Sequence, residues 1–303
     1  MSRTASVVFQ GPASPGLTLS PLRRGRADPC YHDAPDGSIW RTTLVTSGPV
    51  TARIAREAID TVSCEAWGPG AAEFTDALPA LLGADDDTTG FDPQEPTIVR
   101  AHQRVPHLRL GRTGRVLEAL VPAILEQRVY GKDARRAWRT LVGKYGAPAP
   151  GPAPAHMRIP PSAEVWRRVP SWDFHLANVD PGRARTVVGC AQRADALERL
   201  VQRSCEGART AMMSLPGVGV WTAAEVAQRA FGDADALSIG DYHLSTMVGW
   251  SLLGRPIDDD DMVTLLAPLS PHRHRAVRLL EASGLAVNPR FGPRAAIPNL
   301  AEL

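Results

Sequence analysis

The chain has 303 residues, 44% of them apolar, and carries a net charge of +2. That length supports one large domain or two of ordinary size, and the charge balance excludes a histone-like polycation. Residues 1–20 hold no signal-peptide core and no apolar run reaches the roughly eighteen residues of a membrane span. Cys30, Cys64, Cys190 and Cys205 lie far apart without C-x-x-C spacing, which argues against zinc and an iron-sulfur cluster. The expected setting is therefore soluble, reduced and intracellular, cytoplasmic in a bacterial-type cell.

In chain order, residues 1–37 are rich in Gly, Pro and Arg without periodicity and read as a loosely ordered start. Residues 38–55 (SIWRTTLVTSGPVTARIA) alternate β-branched residues around a Gly-Pro turn, predicting a strand, a turn, and a second strand or helix. The acidic, turn-rich stretch 83–96 closes a small α+β subdomain over 38–97. From there the pattern is helical. Val116, Leu120 and Ile124, and likewise Leu117, Val121 and Leu125, recur every fourth residue, with Pro122 as a kink or fresh start. Between Arg100 and Lys144 there are eleven Lys/Arg against three acids, a balance that suits a polyanion or a solvated helix face.

Residues 146–161 hold six prolines and read as a stiff exposed loop inside one helical unit over 98–290. An amphipathic helix is predicted around 183–205, with Val187, Leu197, Leu200 and Val201 inward. Residues 208–231 read as helix, tight hairpin (SLPGVG), helix, with Val220, Ala223, Ala227 and Phe231 as a buried stripe. Helices follow over 242–253 and 272–283, and residues 291–303 form a tail. Most of Trp40, Trp67, Trp138, Trp166, Trp172 and Trp250 are expected in packing.

The hairpin has a chemical reading. Gly217 and Gly219 allow positive φ and close approach. The helix that follows opens with unpaired amides and a positive dipole end, which suit a phosphate. An ordinary tight turn between packed helices is the plainer alternative. Asp241, twenty residues beyond Trp221, opens a helix after a Gly-containing loop; capping alone would account for an Asp there.

Hairpin, loop and aspartate in this order resemble the signature of the helix-hairpin-helix DNA glycosylase superfamily, and within it the 3-methyladenine DNA glycosylase II family. LPGVGVWTA (215–223) is similar to that family's hairpin, AILEQRV (123–129) to its DNA-intercalating segment, and SPHRHRAVRLLEASG (270–284) to its final helix. The resemblance covers 105–285 well and 38–100 weakly. It implies an α+β fold, mostly helical, with a small β-containing N-terminal subdomain.

It also implies a monomeric enzyme, with no membrane role, acting on double-stranded DNA containing a damaged, alkylated purine. The base is hydrolysed off to leave an abasic site for base-excision repair. Asp241 would be catalytic. Trp221, Tyr242, Glu225 and His272 would form the base pocket, Arg128 with Gln127 the wedge that fills the vacated stack, and Gly217, Gly219 and His243 the backbone contacts. Main-chain carbonyls of Met213, Leu215 and Val218 would hold a monovalent cation, sodium or potassium; no other cofactor is implied. Trp221 stands where lyase members carry lysine, so no Schiff base is expected. Glu225 and His272 replace family aromatics and put the substrate range in doubt. A DNA-binding or damage-sensing protein without catalysis, and a glycosylase for another modified base, are the alternatives.

Overall fold

Residues 2–289 are described by the structure, a computed structural model. Five antiparallel strands, β1 (Ser2–Val8), β2 (Tyr31–Asp33), β3 (Ile39–Val45), β4 (Gly48–Arg56) and β5 (Thr61–Trp67), form a sheet in the order β1-β5-β4-β3-β2. The predicted strand pair over 38–55 is the hairpin β3–β4, with Leu44 opposite Pro49 and Gly48 at φ +133°. Val50, Ala52 and Ile54 alternate with their neighbours and are sealed beneath Phe74 and Leu78 from the helices Ala71–Asp76 and Leu78–Leu81.

The expectation of a loose start over 1–37 is corrected. β1 pairs with β5 along its whole length, from Ser2 opposite Trp67 to Val8 opposite Thr61, so a boundary at 38 cuts through the sheet. Residues 20–30 are anchored by polar contacts rather than by a periodic apolar face. The Asp28 carboxylate is 1% exposed and accepts from the Arg24 and Cys30 amides (2.6 and 2.9 Å) and from the Trp138 indole (2.9 Å).

The helical part is built around Val116–Glu126. Val116, Leu117 and all seven residues from Ala119 to Leu125 are buried, because the helix runs through the middle of the largest core cluster and has no solvent face. Pro122 is accommodated within a continuous helix. The N-terminal amides of Val116 and Leu117 are capped from a distance by the Glu198 carboxylate (2.9 Å each). The predicted helix over 183–205 is broken into Pro181–Ala191, Ala194–Glu198 and a 3-10 turn, and the break lets Glu198 reach that cap. Val187, Leu197 and Leu200 point inward, whereas Val201 is 43% exposed at the end of the turn.

The proline-rich stretch is less exposed than expected. It forms a short ladder, Ala147–Pro148 with Arg158–Ile159, and buries Met157, Ile159, Pro160 and Pro161. Trp172 is the tryptophan that escapes packing, at 66% exposure. The expected tail over 291–303 lies outside the described residues. No described helix is long and apolar enough to cross a membrane.

Glu73 clamps sheet to helix. It accepts from the Thr46 and Ser47 amides (3.2 and 2.8 Å) and the Ser47 hydroxyl (2.7 Å), and pairs with Arg115. Burial opposes its charge, but these donors outweigh it and pull the carboxyl from its ordinary 4.5 down to about 2. A folded-state value below the unfolded one gives stability that is present above about pH 4.5 and lost as the pH falls toward about 2. Allowing for the partial exposure of the carboxylate, its worth is about 2 kcal/mol. Glu73→Gln should therefore flatten the loss of urea stability between about pH 5 and about pH 3. An unchanged slope would show that Glu73 is not the titrating group.

Candidate active site

Sheet-side segment and helices enclose a cleft of about 1670 Å³. Its walls come from residues 17–24, the end of the central helix at 126–131, the hairpin, the loop 236–241, and the final helix Arg273–Ser283.

The hairpin joins Cys205–Met213 to Val220–Val226, where the sequence places it. Gly217 has φ +84°, and a Cβ on it would lie 2.1 Å from the Thr186 hydroxyl oxygen. Both facts demand glycine. Gly219 is extended (φ −98°, ψ −176°) and directly precedes the helix, whose first residues line the cleft. Gly217→Ala should cost about 2–4 kcal/mol in denaturant unfolding, from the backbone conformation and the clash together. Adding Thr186→Ala should return the packing share and not the backbone share. A Gly217→Ala variant as stable as the parent would refute this account.

Of the carbonyls expected around a cation, that of Leu215 accepts the Val218 amide at 3.1 Å and keeps one lone pair. Among the described residues no cluster of three or more His, Cys, Asp or Glu could hold a metal ion. All four cysteines are free thiols.

Asp241 lies on the cleft wall and is half-buried. Its Oδ1 accepts from the His243 and Leu244 amides (2.8 and 3.1 Å) at the start of the helix Leu244–Leu253, and its Oδ2 from the Trp221 indole (3.0 Å). The aspartate is thus helix cap and cleft group at once. Trp221, at the entry of the hairpin helix, fixes the carboxylate as well as walling the cleft. The preceding loop is held by the Gly240 amide on Asp259 (2.8 Å).

The other cleft carboxylates are all ion-paired. Glu126 faces Arg24 (3.1 Å), Asp180 faces Arg183 (2.5 Å), Glu225 faces Arg229 (2.8 Å) and Glu281 faces Arg278 (2.5 Å). Asp241 has no cationic partner among the described residues. Glu225 lines the cleft as expected, but it also accepts the Ser238 hydroxyl (2.6 Å). Burial raises its pKa; Arg229, that hydroxyl and Arg24 more than compensate, so it stays ionised. Its partner Arg229 stands one turn on, a spacing legible in the sequence; Arg24, from the supposedly loose segment, was not legible.

His272 is corrected. It is 4% exposed and outside the cleft. Its Nε2 lies 2.9 Å from the Thr89 carbonyl, its Nδ1 accepts from Arg275 (3.3 Å), and its ring meets the edge of Phe91. It precedes the first helical residue and turns toward the 83–96 connector. The cleft face of the final helix is instead His274, Val277, Arg278 and Glu281, the i, i+3, i+4, i+7 positions of one stripe. Within the expected stripe of the hairpin helix, Ala223 and Ala227 are fully buried, but Val220 is 51% exposed at the cleft.

Tyr242 and His243 are exposed at the mouth, with rings edge-to-face at 5.0 Å. Gln127 is tied back: its Nε2 donates to the Gly217 carbonyl (2.9 Å) and to Thr222 (2.8 Å). Arg128 is exposed over the cleft with φ +53°, a left-handed conformation unfavourable for a non-glycine residue.

A five-stranded antiparallel sheet, a helical body and a hairpin-and-aspartate cleft give the chain the helix-hairpin-helix DNA glycosylase fold. It superposes on the 3-methyladenine DNA-glycosylase of Archaeoglobus fulgidus with a TM-score of 0.77, 16% identity, and coverage of 92% of this chain and 98% of the other. The Clostridium acetobutylicum 8-oxoguanine glycosylase/lyase, in complex with double-stranded DNA, gives 0.69 at 12% identity, covering 94% and 98%. In sequence the chain resembles the 3-methyladenine DNA glycosylase II family: it is 32% identical over 178 residues to a Mycobacterium tuberculosis protein named probable bifunctional transcriptional activator/DNA repair enzyme AlkA. That stretch is 56% of this chain and 32% of the relative, so the chain spans about a third of the curated protein it matches. No protein-family model matches it.

Proposed function

We propose that this protein is a monofunctional DNA glycosylase, active as a monomer inside the cell, that removes alkylated purines from double-stranded DNA. The observation that carries this reading is Asp241, the cleft carboxylate without a cationic partner. As the C1′–N bond breaks, positive charge gathers on the deoxyribose, and a fixed anion stabilises it. Asp241 also accepts a proton from the attacking water, whose oxygen bonds to C1′ while the base leaves with the bond's electron pair. Trp221 walls the pocket for the planar base, and a cationic alkylpurine gains roughly 1 kcal/mol on an aromatic face.

Extruding the nucleotide costs a few kcal/mol. Arg128, held out over the cleft while Gln127 anchors its backbone to the hairpin, fills the vacated stack. The open amides after Gly219, with His243, receive backbone phosphate. A monovalent cation on the carbonyls of Met213, Leu215 and Val218 would strengthen that contact. Arg23, Arg109 and Arg135 also line the cleft, so binding should weaken with salt. The test is a panel of duplexes, each carrying one modified base, scored for abasic product. Release of alkylpurine by the intact protein supports the reading; DNA binding with no release from any duplex overturns it.

A further inference from the structure

His274 is a cleft group that neither Asp241 nor the ion pairs account for. His274 is 7% exposed and lines the cleft. Its ring makes no hydrogen bond or ion pair among the described residues, and neither ring nitrogen is among the sealed, unpartnered polar atoms. Neither nitrogen is fully sealed, and the side chain lines the cleft. A ring so enclosed has little room for water, and a base edge placed against it would supply the hydrogen-bond partner that the protein does not. One turn along the same face, the Nε of Arg278 is sealed and unpartnered.

The electrostatics around His274 are balanced. Glu225, Glu126 and Glu281 are each matched by a guanidinium, from Arg229, Arg24 and Arg278, so this wall carries no surplus negative charge to attract a cation. Burial, followed by the charges of Arg278, Arg229 and Arg275, lowers the pKa of His274 well below its ordinary value. The imidazole is neutral and offers one N–H donor and one lone pair.

We propose that His274 is a base-reading residue that hydrogen-bonds the edge of the extruded purine and serves neutral damaged bases in particular. The proposal rests on the glycosylase reading above and names a substrate class for it. A cationic alkylpurine departs as a neutral molecule and needs little help. A neutral purine takes the electron pair of the C1′–N bond and becomes anionic until solvent protonates it. The imidazole N–H stabilises that charge as it arrives; water supplies the oxygen to C1′ and its proton goes to Asp241, which completes the hydrolysis.

The test compares single-turnover release of hypoxanthine, a neutral deaminated purine, with that of 7-methylguanine, a cation, from otherwise identical duplexes. His274→Ala should slow hypoxanthine release by about tenfold or more and 7-methylguanine release by less than about threefold. His274→Gln, which keeps a donor and an acceptor, should recover part of the hypoxanthine rate. Equal losses on both bases would reduce His274 to a structural role and overturn the proposal, as would an unaffected hypoxanthine rate. If the intact protein releases 7-methylguanine and no hypoxanthine, this proposal fails and the glycosylase reading stands. If it releases no modified base from any duplex of the panel, both fall.

Discussion

Asp241→Asn should lower single-turnover release of 7-methylguanine by about 10²–10³-fold, while affinity for a duplex with an abasic site changes by less than about threefold. The substitution preserves shape and removes charge. It also disturbs the network in a defined way. Three donors converge on the carboxylate: the amides of His243 and Leu244 on one oxygen and the Trp221 indole on the other. Asparagine has one acceptor oxygen. If that oxygen keeps the two amides, its NH₂ faces the indole N–H, donor against donor, and both the tryptophan and the pocket wall shift. Loss of release with binding intact is the signature of a group that acts on the transition state. A variant that releases base within about tenfold of the parent would remove Asp241 from the chemistry. A parallel loss of duplex affinity would reduce it to the helix cap it also provides.

What was legible in the sequence and what was not divide along physical lines. The hairpin could be read because Gly217 answers a steric demand that the sequence displays, and Asp241 because its distance from the hairpin is local. The central helix could be read from two apolar stripes, and it is buried on both. Arg24 could not be read: it lies in a segment without periodicity, and its place depends on Asp28, Trp138 and Glu126, up to more than a hundred residues away. The exchange of His272 for His274 is a matter of phase. Matching residue types at the start of the final helix selects position 272, but the helix begins at Arg273, and its stripe, counted back from Glu281 and Arg278, runs through 274. Glu225 lines the cleft, but as half of an ion pair with Arg229. Its charge is thus matched within the protein before any base arrives.

The final helix owes its position to an ion pair whose loss should have the largest effect on stability. Arg275 and Asp86 are 3% and 4% exposed along their side chains. Two guanidinium nitrogens bond the carboxylate at 2.9 and 2.5 Å, one of them also donates to the Asp87 carbonyl (3.0 Å), and the third meets His272. Among the described residues, Asp86 otherwise accepts only the Leu110 amide (2.9 Å). Arg275→Met fills much of the volume but strands a buried carboxylate, and should cost about 3–5 kcal/mol in urea unfolding. Asp86→Asn in the same chain removes the stranded charge and should return a large part of that loss, so the two changes should be strongly non-additive. The pair clamps the 83–96 connector to the helix that carries His274 and Arg278 into the cleft. Arg275→Met should therefore also slow hypoxanthine release more than 7-methylguanine release, in the same sense as His274→Ala and by a smaller factor. A cost below about 1 kcal/mol would mean that water reaches Asp86 and that the clamp is not what seats the helix.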